Sequence, residues 1–91
     1  MPNLRAAVIG AGNMGRHHIR ILGSMPDVDL IGIVDTDTER AAQHAGTTGS
    51  SVYESLDTLP DIDFAVVATP THAHVETALE LIGRGTHLLI E

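Results

Sequence analysis

A glycine-rich segment near the start of the chain has the spacing of a phosphate-binding loop. Gly10, Gly12 and Gly15 fit the pattern G-x-G-x-x-G between a strand-like run and a helical pattern. In such a loop the first glycine permits a tight turn, the second leaves room for a diphosphate, and the third lets the helix pack closely on the sheet. The free N–H groups at the start of the helix attract the anion. The loop therefore predicts a nucleotide diphosphate site, and the alternative is a tight turn without a ligand.

Asp35 has the type and position of a ribose-binding carboxylate. It follows Gly15 by 20 residues and closes the second strand-like run. A carboxylate there accepts hydrogen bonds from the adenosine ribose and repels a 2′-phosphate, so we expect NAD rather than NADP. Arg40, five residues further on, is a cation that could reach such a phosphate, and it keeps the use of NADP open. The simpler interpretation of Asp35 is a carboxylate at a helix entrance.

The chain has six histidines and no cysteine, which excludes disulfides and thiolate metal sites. His17 and His18 are adjacent, so on a helix their side chains point about 100° apart and cannot easily share a metal. The sequence has no H-E-x-x-H pattern. We therefore expect no metal site, with His18 in the core and His17 at the surface.

A second polar segment follows the fourth predicted strand. Thr69, Pro70 and Thr71 come directly after it, and His74 lies three residues further on. When the strand order of an open sheet reverses between the first and fourth strands, the two following loops form one ligand-binding crevice. This segment should therefore face the glycine loop across the ligand. Pro70 and Thr71 also suit purely structural roles, stiffening the loop and capping a helix, and for His74 both interpretations stand.

The elements that must hold these groups alternate between strands and helices. Short apolar runs predict strands at five places: Ala6–Ile9, Val28–Val34, Ser51–Tyr53, Phe64–Ala68 and His87–Ile90. Helical patterns lie between them. Such alternation predicts an α/β protein with a doubly wound parallel sheet that is covered by helices on both faces.

Apolar stripes and capping residues set the expected faces and ends of the helices. The first helix should bury the stripe Met14, His18, Ile21, Leu22 and Met25. The second should begin at a capping box, Thr36 to Glu39, and end at Gly46. The third should be capped by Thr71 and end at Gly85. Its buried stripe should be Val75, Ala78, Leu79 and Ile82.

Length and charge limit what the chain can be. Its 91 residues allow one domain, and 43% of them are apolar, which is enough for a packed core. Five arginines against twelve acidic residues give a net charge of −7, so we expect neither nucleic acid nor a membrane as a partner. No apolar run approaches the roughly 20 residues that span a bilayer, and the first residues lack a signal-peptide pattern. We predict a cytoplasmic protein.

In order and spacing, these segments resemble one known protein family. The glycine loop with His18 behind it, Asp35, the segment Ala68 to His74 and the terminal Leu88 to Glu91 are similar to the cofactor domain of the Gfo/Idh/MocA family (glucose-fructose oxidoreductase, inositol dehydrogenase and rhizopine catabolism). The resemblance covers almost the whole chain. It implies a Rossmann-type sheet with strand order 3-2-1-4-5 and an NAD or NADP cofactor. It also implies hydride transfer at a secondary alcohol of a sugar, inositol or related polyol.

The resemblance also assigns cofactor contacts by position. It gives the dinucleotide phosphates to five loop residues: Gly10, Gly12, Asn13, Met14 and Gly15. It gives the adenosine ribose to Asp35. Beside the nicotinamide half it places four residues: Thr69, Pro70, Thr71 and His74. Glu91 matches the glutamate of the family's Glu-Lys-Pro motif, near the nicotinamide ribose.

The lysine that the family uses in proton transfer has no counterpart here, because the chain contains no lysine. Hydride transfer needs a positioned substrate and a proton acceptor. We therefore expect residues 1–91 to form a dinucleotide-binding domain that ends before its sixth strand, lacks the family's substrate domain and does not catalyse alone. Residues 87–90 would then form an exposed sheet edge through which the chain self-associates.

Two other functions remain open at this point. A stand-alone NAD-binding sensor or interaction module would account for the length and for the missing lysine. A dihydrodipicolinate reductase-like cofactor domain has a similar opening, which is Gly12 to Arg16 here. The segment Ala68 to His72 does not match that second family, so it disfavours the reductase.

Overall fold

The computed structural model describes residues 3–69 and 74–90. Along these residues the elements follow one another as β1 (Leu4–Ile9), α1 (Asn13–Ser24), β2 (Val28–Val34), α2 (Thr38–Thr48), β3 (Ser51–Tyr53), a 3₁₀ turn (Leu56–Thr58), β4 (Phe64–Val67), α3 (His74–Gly83) and β5 (His87–Ile90).

The strands form one parallel sheet in the order β3-β2-β1-β4-β5. This confirms the predicted fold class and strand order. β1 lies at the centre, where Val8 pairs in register with Ile33 of β2 on one side and with Val66 of β4 on the other. The order reverses between β1 and β4, so the loops that follow these two strands leave the same edge of the sheet and open a crevice there.

Helices cover both faces of the sheet, and each face has its own aliphatic core. In β1, Ala6 and Val8 pack with residues of α1 and α2, whereas Ala7 and Ile9 pack with Leu81 of α3. Successive strand residues point to opposite faces. A strand that is covered on both faces is therefore apolar where it is covered, as β1 is from Ala6 to Ile9. These two cores fix the carboxyl end of β1, from which the glycine loop departs.

The first helix buries a different stripe from the one predicted. Gly15, Ile19 and Leu22 face the sheet. Three residues of the predicted stripe are instead exposed: Met14, Ile21 and Met25. The reason lies at the start of the helix, where Gly15 touches the backbone of the glycine loop. That contact fixes the rotation of the helix, so the residues four and seven positions after Gly15 face inward.

The second helix begins and ends later than predicted. Asp37 rather than Thr36 is its N-cap. The helix continues past Gly46 and stops at Thr48, because Gly49 has a left-handed conformation with φ +72°. Glycine adopts this conformation without steric cost and closes helices for that reason. Two glycines, Gly46 and Gly49, could end this helix, and the structure shows that Gly49 does.

The third helix turns most of its predicted stripe away from the sheet. Leu81 is fully buried among side chains of β1 and β4. Val75, Leu79 and Ile82 are 68%, 64% and 60% exposed, so the prediction that they face the sheet is wrong. Apolar residues lie on more than one side of this helix, and periodicity does not say which side meets the sheet. The predicted cap, Thr71, lies outside the described residues.

Candidate functional site

The glycine loop makes a turn that requires glycine at two of its positions. Gly10 has a φ of +98°, and a Cβ there would lie 2.9 Å from the carbonyl oxygen of Ala68. A Cβ on Gly15 would overlap the carbonyl oxygen of Gly10, because α1 starts directly against the turn. Both glycines are buried. They hold the start of α1 against the carboxyl ends of β1 and β4, as the loop pattern predicts.

Gly12 leaves the approach to α1 open. A Cβ at this position would meet nothing closer than Nη1 of Arg40, 3.9 Å away. Gly12 is also the N-cap of α1, so no side-chain cap comes from it, and the first turn of the helix holds no acidic residue. The first N–H groups of a helix have no partner within the helix and lie at the positive end of its dipole. A phosphate group can therefore approach the backbone at this point.

Asp35 closes β2 beside this helix start, and only 6% of its side chain is exposed. Its Oδ2 accepts hydrogen bonds from the N–H of Ala11 at 2.8 Å and from Nε and Nη2 of Arg40 at 3.1 and 2.7 Å. Its Oδ1 accepts one from the N–H of Asp37 at 2.9 Å. Burial raises the pKa of the Asp35 carboxyl, but these hydrogen bonds and the charge of Arg40 together outweigh it and lower the pKa. Asp35 is therefore an ionised acceptor at neutral pH.

The glycine loop and Asp35 line one crevice of about 700 Å³. This volume lies within the range of roughly 300 to 1,000 Å³ that is typical of small-molecule sites. Five of the predicted site residues line it: Gly10, Gly12, Met14, Asp35 and Thr69. Asn13 lines a smaller cavity beside it, and Gly15 lies buried beneath the turn. The structure thus brings together the predicted residues of the first and fourth strand ends.

Besides Ile9 and Val34 at the strand ends, three residues that follow strands line the crevice and are not among the contacts predicted from the sequence. Thr36 follows β2, Glu54 follows β3 and Ala68 follows β4, and all three line the crevice. Ligands of open α/β sheets bind outside the carboxyl ends of the strands. That rule, applied to every strand end rather than to recognised motifs alone, could have found them.

The second polar segment is described in part. Thr69 lines the crevice, and its buried hydroxyl has no hydrogen-bond partner among residues 3–69 and 74–90. Nε2 of His74 lies 2.6 Å from the carbonyl oxygen of Thr69. Because a carbonyl oxygen can only accept, Nε2 carries the proton and donates it. His74 therefore fixes the backbone of Thr69 at the crevice. Pro70, Thr71 and Glu91 lie outside the described residues.

The paired histidines of α1 have separate surroundings. His17 is exposed, as predicted, and its Nδ1 lies 3.5 Å from Nη2 of Arg20. His18 is half-buried rather than part of the core. Across the described ranges, no group of three or more His, Cys, Asp or Glu side chains could hold a metal ion. Nor do those ranges contain a helix with the length and apolar character needed to cross a membrane.

Comparison with known sequences decides the family. Residues 4–91 match the GFO_IDH_MocA family, described as an oxidoreductase family with an NAD-binding Rossmann fold. The chain belongs to this family. It corresponds to the family's NAD-binding domain, so the resemblance drawn from the Gfo/Idh/MocA motifs is confirmed.

Individual relatives are similar over nearly the whole chain. Glucose-6-phosphate 3-dehydrogenase of Bacillus subtilis is 32% identical over 88 residues, which are 96% of this chain and 25% of that protein. Inositol 2-dehydrogenase of Leifsonia xyli subsp. xyli is 36% identical over 94 residues, 99% of this chain and 28% of that protein. The crystal structure of GenD2 from gentamicin A biosynthesis, in complex with NAD, has a TM-score of 0.91 at 34% identity and covers 99% of this chain.

The chain spans about a quarter of the length of these relatives, including 27% of GenD2. The Gfo/Idh/MocA relatives named here are dehydrogenases or are solved with a nicotinamide dinucleotide. They support a dinucleotide-binding domain of an oxidoreductase family. They give no support to the dihydrodipicolinate reductase-like domain or to the stand-alone sensor over that assignment.

Proposed function

We propose that this domain binds NAD in preference to NADP, and that the carboxylate of Asp35 determines this preference. The observation that carries this proposal is the buried, ionised carboxylate of Asp35 on the wall of the crevice that Gly12 leaves open. A carboxylate at the end of the second strand accepts hydrogen bonds from ribose hydroxyls and repels a 2′-phosphate. The complex of GenD2 with NAD is consistent with this preference.

The described residues fit such a ligand from one end of the crevice to the other. The diphosphate would lie at the start of α1, where no side chain of Gly12 intervenes. Four loop residues would contact it, Gly10, Gly12, Asn13 and Met14, whereas Gly15, predicted from the sequence as a fifth contact, is buried beneath the turn and would only support the loop. Thr69, which lines the crevice, would lie beside the nicotinamide half. Pro70, Thr71, His74 and Glu91 stay predicted contacts that rest on the family resemblance.

We further propose that the protein takes part in hydride transfer at a secondary alcohol of a sugar, inositol or related polyol. Bound NAD supplies the hydride acceptor for such a reaction. The names of the relatives, glucose-6-phosphate 3-dehydrogenase and inositol 2-dehydrogenase, support this substrate class. The reaction also needs a substrate site and a proton acceptor, and the 91 residues contain no lysine for the second role. We therefore propose that residues 1–91 bind the cofactor and do not turn over substrate by themselves.

The cytoplasmic location stays a prediction from the sequence.

Paired titrations with NADH and NADPH, followed by nicotinamide fluorescence, test the cofactor proposal. NADH should bind the folded chain more tightly than NADPH. Asp35→Asn should weaken NADH binding by about tenfold or more, since it removes charged hydrogen bonds to the ribose. Asp61→Asn, the same chemical change at an exposed position, should leave both affinities unchanged. Folded protein that binds neither dinucleotide would refute the function, and equal or tighter binding of NADPH would refute the preference.

We also propose that β5 joins a second copy of the chain. β5 ends the described sheet, with β4 as its neighbour, and Leu89 and Ile90 are 52% and 46% exposed. A sheet edge with unpaired N–H and C=O groups and exposed apolar side chains favours pairing with another strand. The second copy supplies an identical edge.

Sedimentation velocity over a range of concentrations tests this pairing. The unmodified chain should form dimers as its concentration rises, and Leu89→Lys should remain monomeric. Leu4→Lys is the matched control, because Leu4 is equally exposed at 52% but lies on the central strand. An unmodified chain that stays monomeric at every concentration would rule the pairing out.

A further inference from the structure

Positive charge is concentrated on α1 in an otherwise acidic chain. The helix holds two of the five arginines and two of the six histidines, whereas none of the twelve acidic residues precedes Asp27. Arg16 and Arg20 are four residues apart and both exposed, so they are neighbours on one side of the helix. Like charges at this spacing destabilise a helix. A bound anion would remove that cost.

The described carboxylates do not compensate the two arginines of α1. Within residues 3–69 and 74–90, the arginines that form ion pairs are Arg40 and Arg84. Nη2 of Arg20 lies 3.5 Å from Nδ1 of His17, and a histidine ring brings no negative charge. Because arginine can only donate, Nδ1 is the acceptor of this contact. The positive charges of Arg16 and Arg20 are therefore open to an anion from solution.

Both arginines lie in a groove between α1 and α2. The two helices approach closely at Gly23, where a Cβ would be only 2.5 Å from Cγ2 of Thr48. Beside this contact, two adjoining cavities of about 230 and 380 Å³ open at the surface. Four residues line both cavities: Arg16, Arg20, His44 and Thr47. These four residues define the α1–α2 groove.

The α1–α2 groove is separate from the dinucleotide crevice. Among the described residues, none that lines the two cavities of the groove also lines the crevice. The crevice takes Met14 from the first turn of α1, whereas the groove extends to Ser24, the last residue of the helix. A ligand in the groove is therefore a different molecule from the dinucleotide.

The size of the groove favours a small ligand. Nine described residues line its two cavities, against roughly 20 to 30 residues on each side of a standard protein interface. The larger cavity, of about 380 Å³, lies at the lower end of the range that is typical of small-molecule sites. The occupant that fits is therefore a small anion rather than an acidic protein surface.

The donors of the groove favour phosphate. Arg16 and Arg20 offer guanidinium N–H groups from α1, and a planar guanidinium binds phosphate through paired N–H groups. From α2, the half-buried ring of His44 adds a donor. The hydroxyl of Thr47 adds none, because it donates to the carbonyl oxygen of His44 at 2.8 Å. Donors on two walls suit a tetrahedral group whose oxygens point in different directions.

We propose that the α1–α2 groove binds a phosphate group, either as the inorganic ion or as part of a small phosphate ester. Arg16 and Arg20 bind its oxygens from one helix, and His44 donates from the other. The bound phosphate relieves the repulsion between the two arginines and links α1 to α2. This site does not depend on the proposed function of the crevice.

Isothermal titration calorimetry at constant ionic strength tests the proposal with three probes: inorganic phosphate, inorganic diphosphate and methyl phosphate. Each titration is run with excess NADH, which occupies the glycine loop and keeps the probe from binding there. At least one probe should bind saturably, with one site per chain. Tighter binding of the inorganic ions identifies the free ion as the ligand, and tighter binding of methyl phosphate identifies an ester.

Substitution of Arg20 locates the site. Arg20→Met keeps the length of the side chain and removes its charge, so it should weaken the probe's binding by about tenfold or more. Arg20→Lys keeps the charge without the paired donors and should weaken binding less. Arg5→Met is the matched control, because it removes the same charge from an exposed position of β1. It should leave the affinity unchanged.

Four results would overturn the proposal. The first is that the folded, unmodified chain binds none of the three probes. The second is that Arg20→Met binds the probe as tightly as the unmodified chain, and the third is that Arg5→Met weakens binding equally. The fourth is that polyglutamate binds more tightly than every probe, which would indicate a protein partner. If the chain binds no NADH, the function of the crevice is refuted, but the comparison of Arg20→Met with Arg5→Met still tests the groove.

Discussion

The two ends of this chain use their surfaces in different ways. At the glycine loop and Asp35, the helix α1 buries its inward stripe, and both carboxylate oxygens of Asp35 have donors. In α3 and β5, by contrast, apolar side chains face outward: Val75, Leu79, Ile82, Leu89 and Ile90. The first region is organised around a polar site, although Met14 and Ile21 of α1 are exposed, and the second exposes apolar side chains with no polar site beside them among the described residues.

This difference shows which constraints act on each region. In the region of the glycine loop, the turn requires a particular backbone geometry. Substitution of a single residue such as Gly15 therefore lowers the stability of the fold. In the second, the sheet covers only one flank of α3, and the remaining apolar residues do not contribute to the core of the chain. Val75, Leu79 and Ile82 are spaced four and three residues apart and therefore share one face of α3, and an exposed apolar face is typical of surfaces that meet another protein surface. The four predictions below test this contrast.

The largest effect is expected at Gly15. Gly15→Ala places a Cβ against the carbonyl oxygen of Gly10, and backbone cannot yield as a side chain does. We expect a loss of about 3 kcal/mol or more in the free energy of unfolding, measured by urea denaturation with circular dichroism. Gly46→Ala lies in α2 with nothing within 4 Å of the new Cβ, and it should stabilise by up to about 1 kcal/mol. Equal effects of the two variants would contradict the packing of α1 on the turn.

The next effect separates the two flanks of α3. Leu81→Ala removes a side chain that is fully buried, and it should lower the free energy of unfolding by about 2 to 5 kcal/mol. Leu79→Ala removes the same atoms from a position that is 64% exposed, and it should cost no more than about 0.5 kcal/mol. Both are measured by urea denaturation at low protein concentration. A larger loss for Leu79→Ala than for Leu81→Ala would mean that the helix faces the sheet with its other flank.

A smaller loss of stability is expected at Asp35. In Asp35→Asn the new NH₂ group must face the N–H of either Ala11 or Asp37, because those donors hold the two oxygens. One buried donor then lacks an acceptor, at a cost of about 1 to 3 kcal/mol in the free energy of unfolding. Asp61→Asn, at an exposed position, serves as the control and should cost almost nothing. Unchanged stability of Asp35→Asn in thermal and urea melts would show that the hydrogen bonds to this carboxylate are weak.

The smallest effect is a dependence of stability on pH. The pKa of Asp35 is below its ordinary value of 3.8 in the folded chain. The ionised carboxylate therefore stabilises the fold at pH values above 3.8, and this contribution is lost as the pH falls through the lower, folded pKa. The difference in unfolding free energy between the unmodified chain and Asp35→Asn should shrink as the pH is lowered from 7 toward 3. A difference that stays constant over that range would contradict the lowered pKa.

The sequence was sufficient to predict the fold and the position of the crevice. Short apolar runs alternate with helical patterns, and this alternation determines a parallel sheet with helices on both faces. The glycine spacing and the interval to Asp35 then locate one wall of the site. These features are local or depend on topology alone, so they can be predicted without coordinates.

The helix faces and the side-chain pairing at the site could not be predicted in the same way. Gly15 sets the rotation of α1 through a contact with Gly10, and Leu81 rather than Leu79 meets the sheet through the position of α3 over β4. The bond between Arg40 and Asp35 depends on a rotamer. The rotation of α1, the buried face of α3 and this bond all depend on how two elements pack against each other. Hydrophobic periodicity describes one element at a time and carries no information about that packing.

The most direct test of the account is a titration of ¹⁵N-labelled chain with NADH, followed through the backbone amide signals. Binding at the start of α1 with the ribose on Asp35 predicts that the largest shifts occur in two segments, residues 10–15 and residues 35–37. The amides of the outer face of α3, such as Leu79, should be unaffected. Shifts centred on α3 and β5, or an unchanged spectrum at millimolar NADH, would contradict the assignment of this crevice to a dinucleotide.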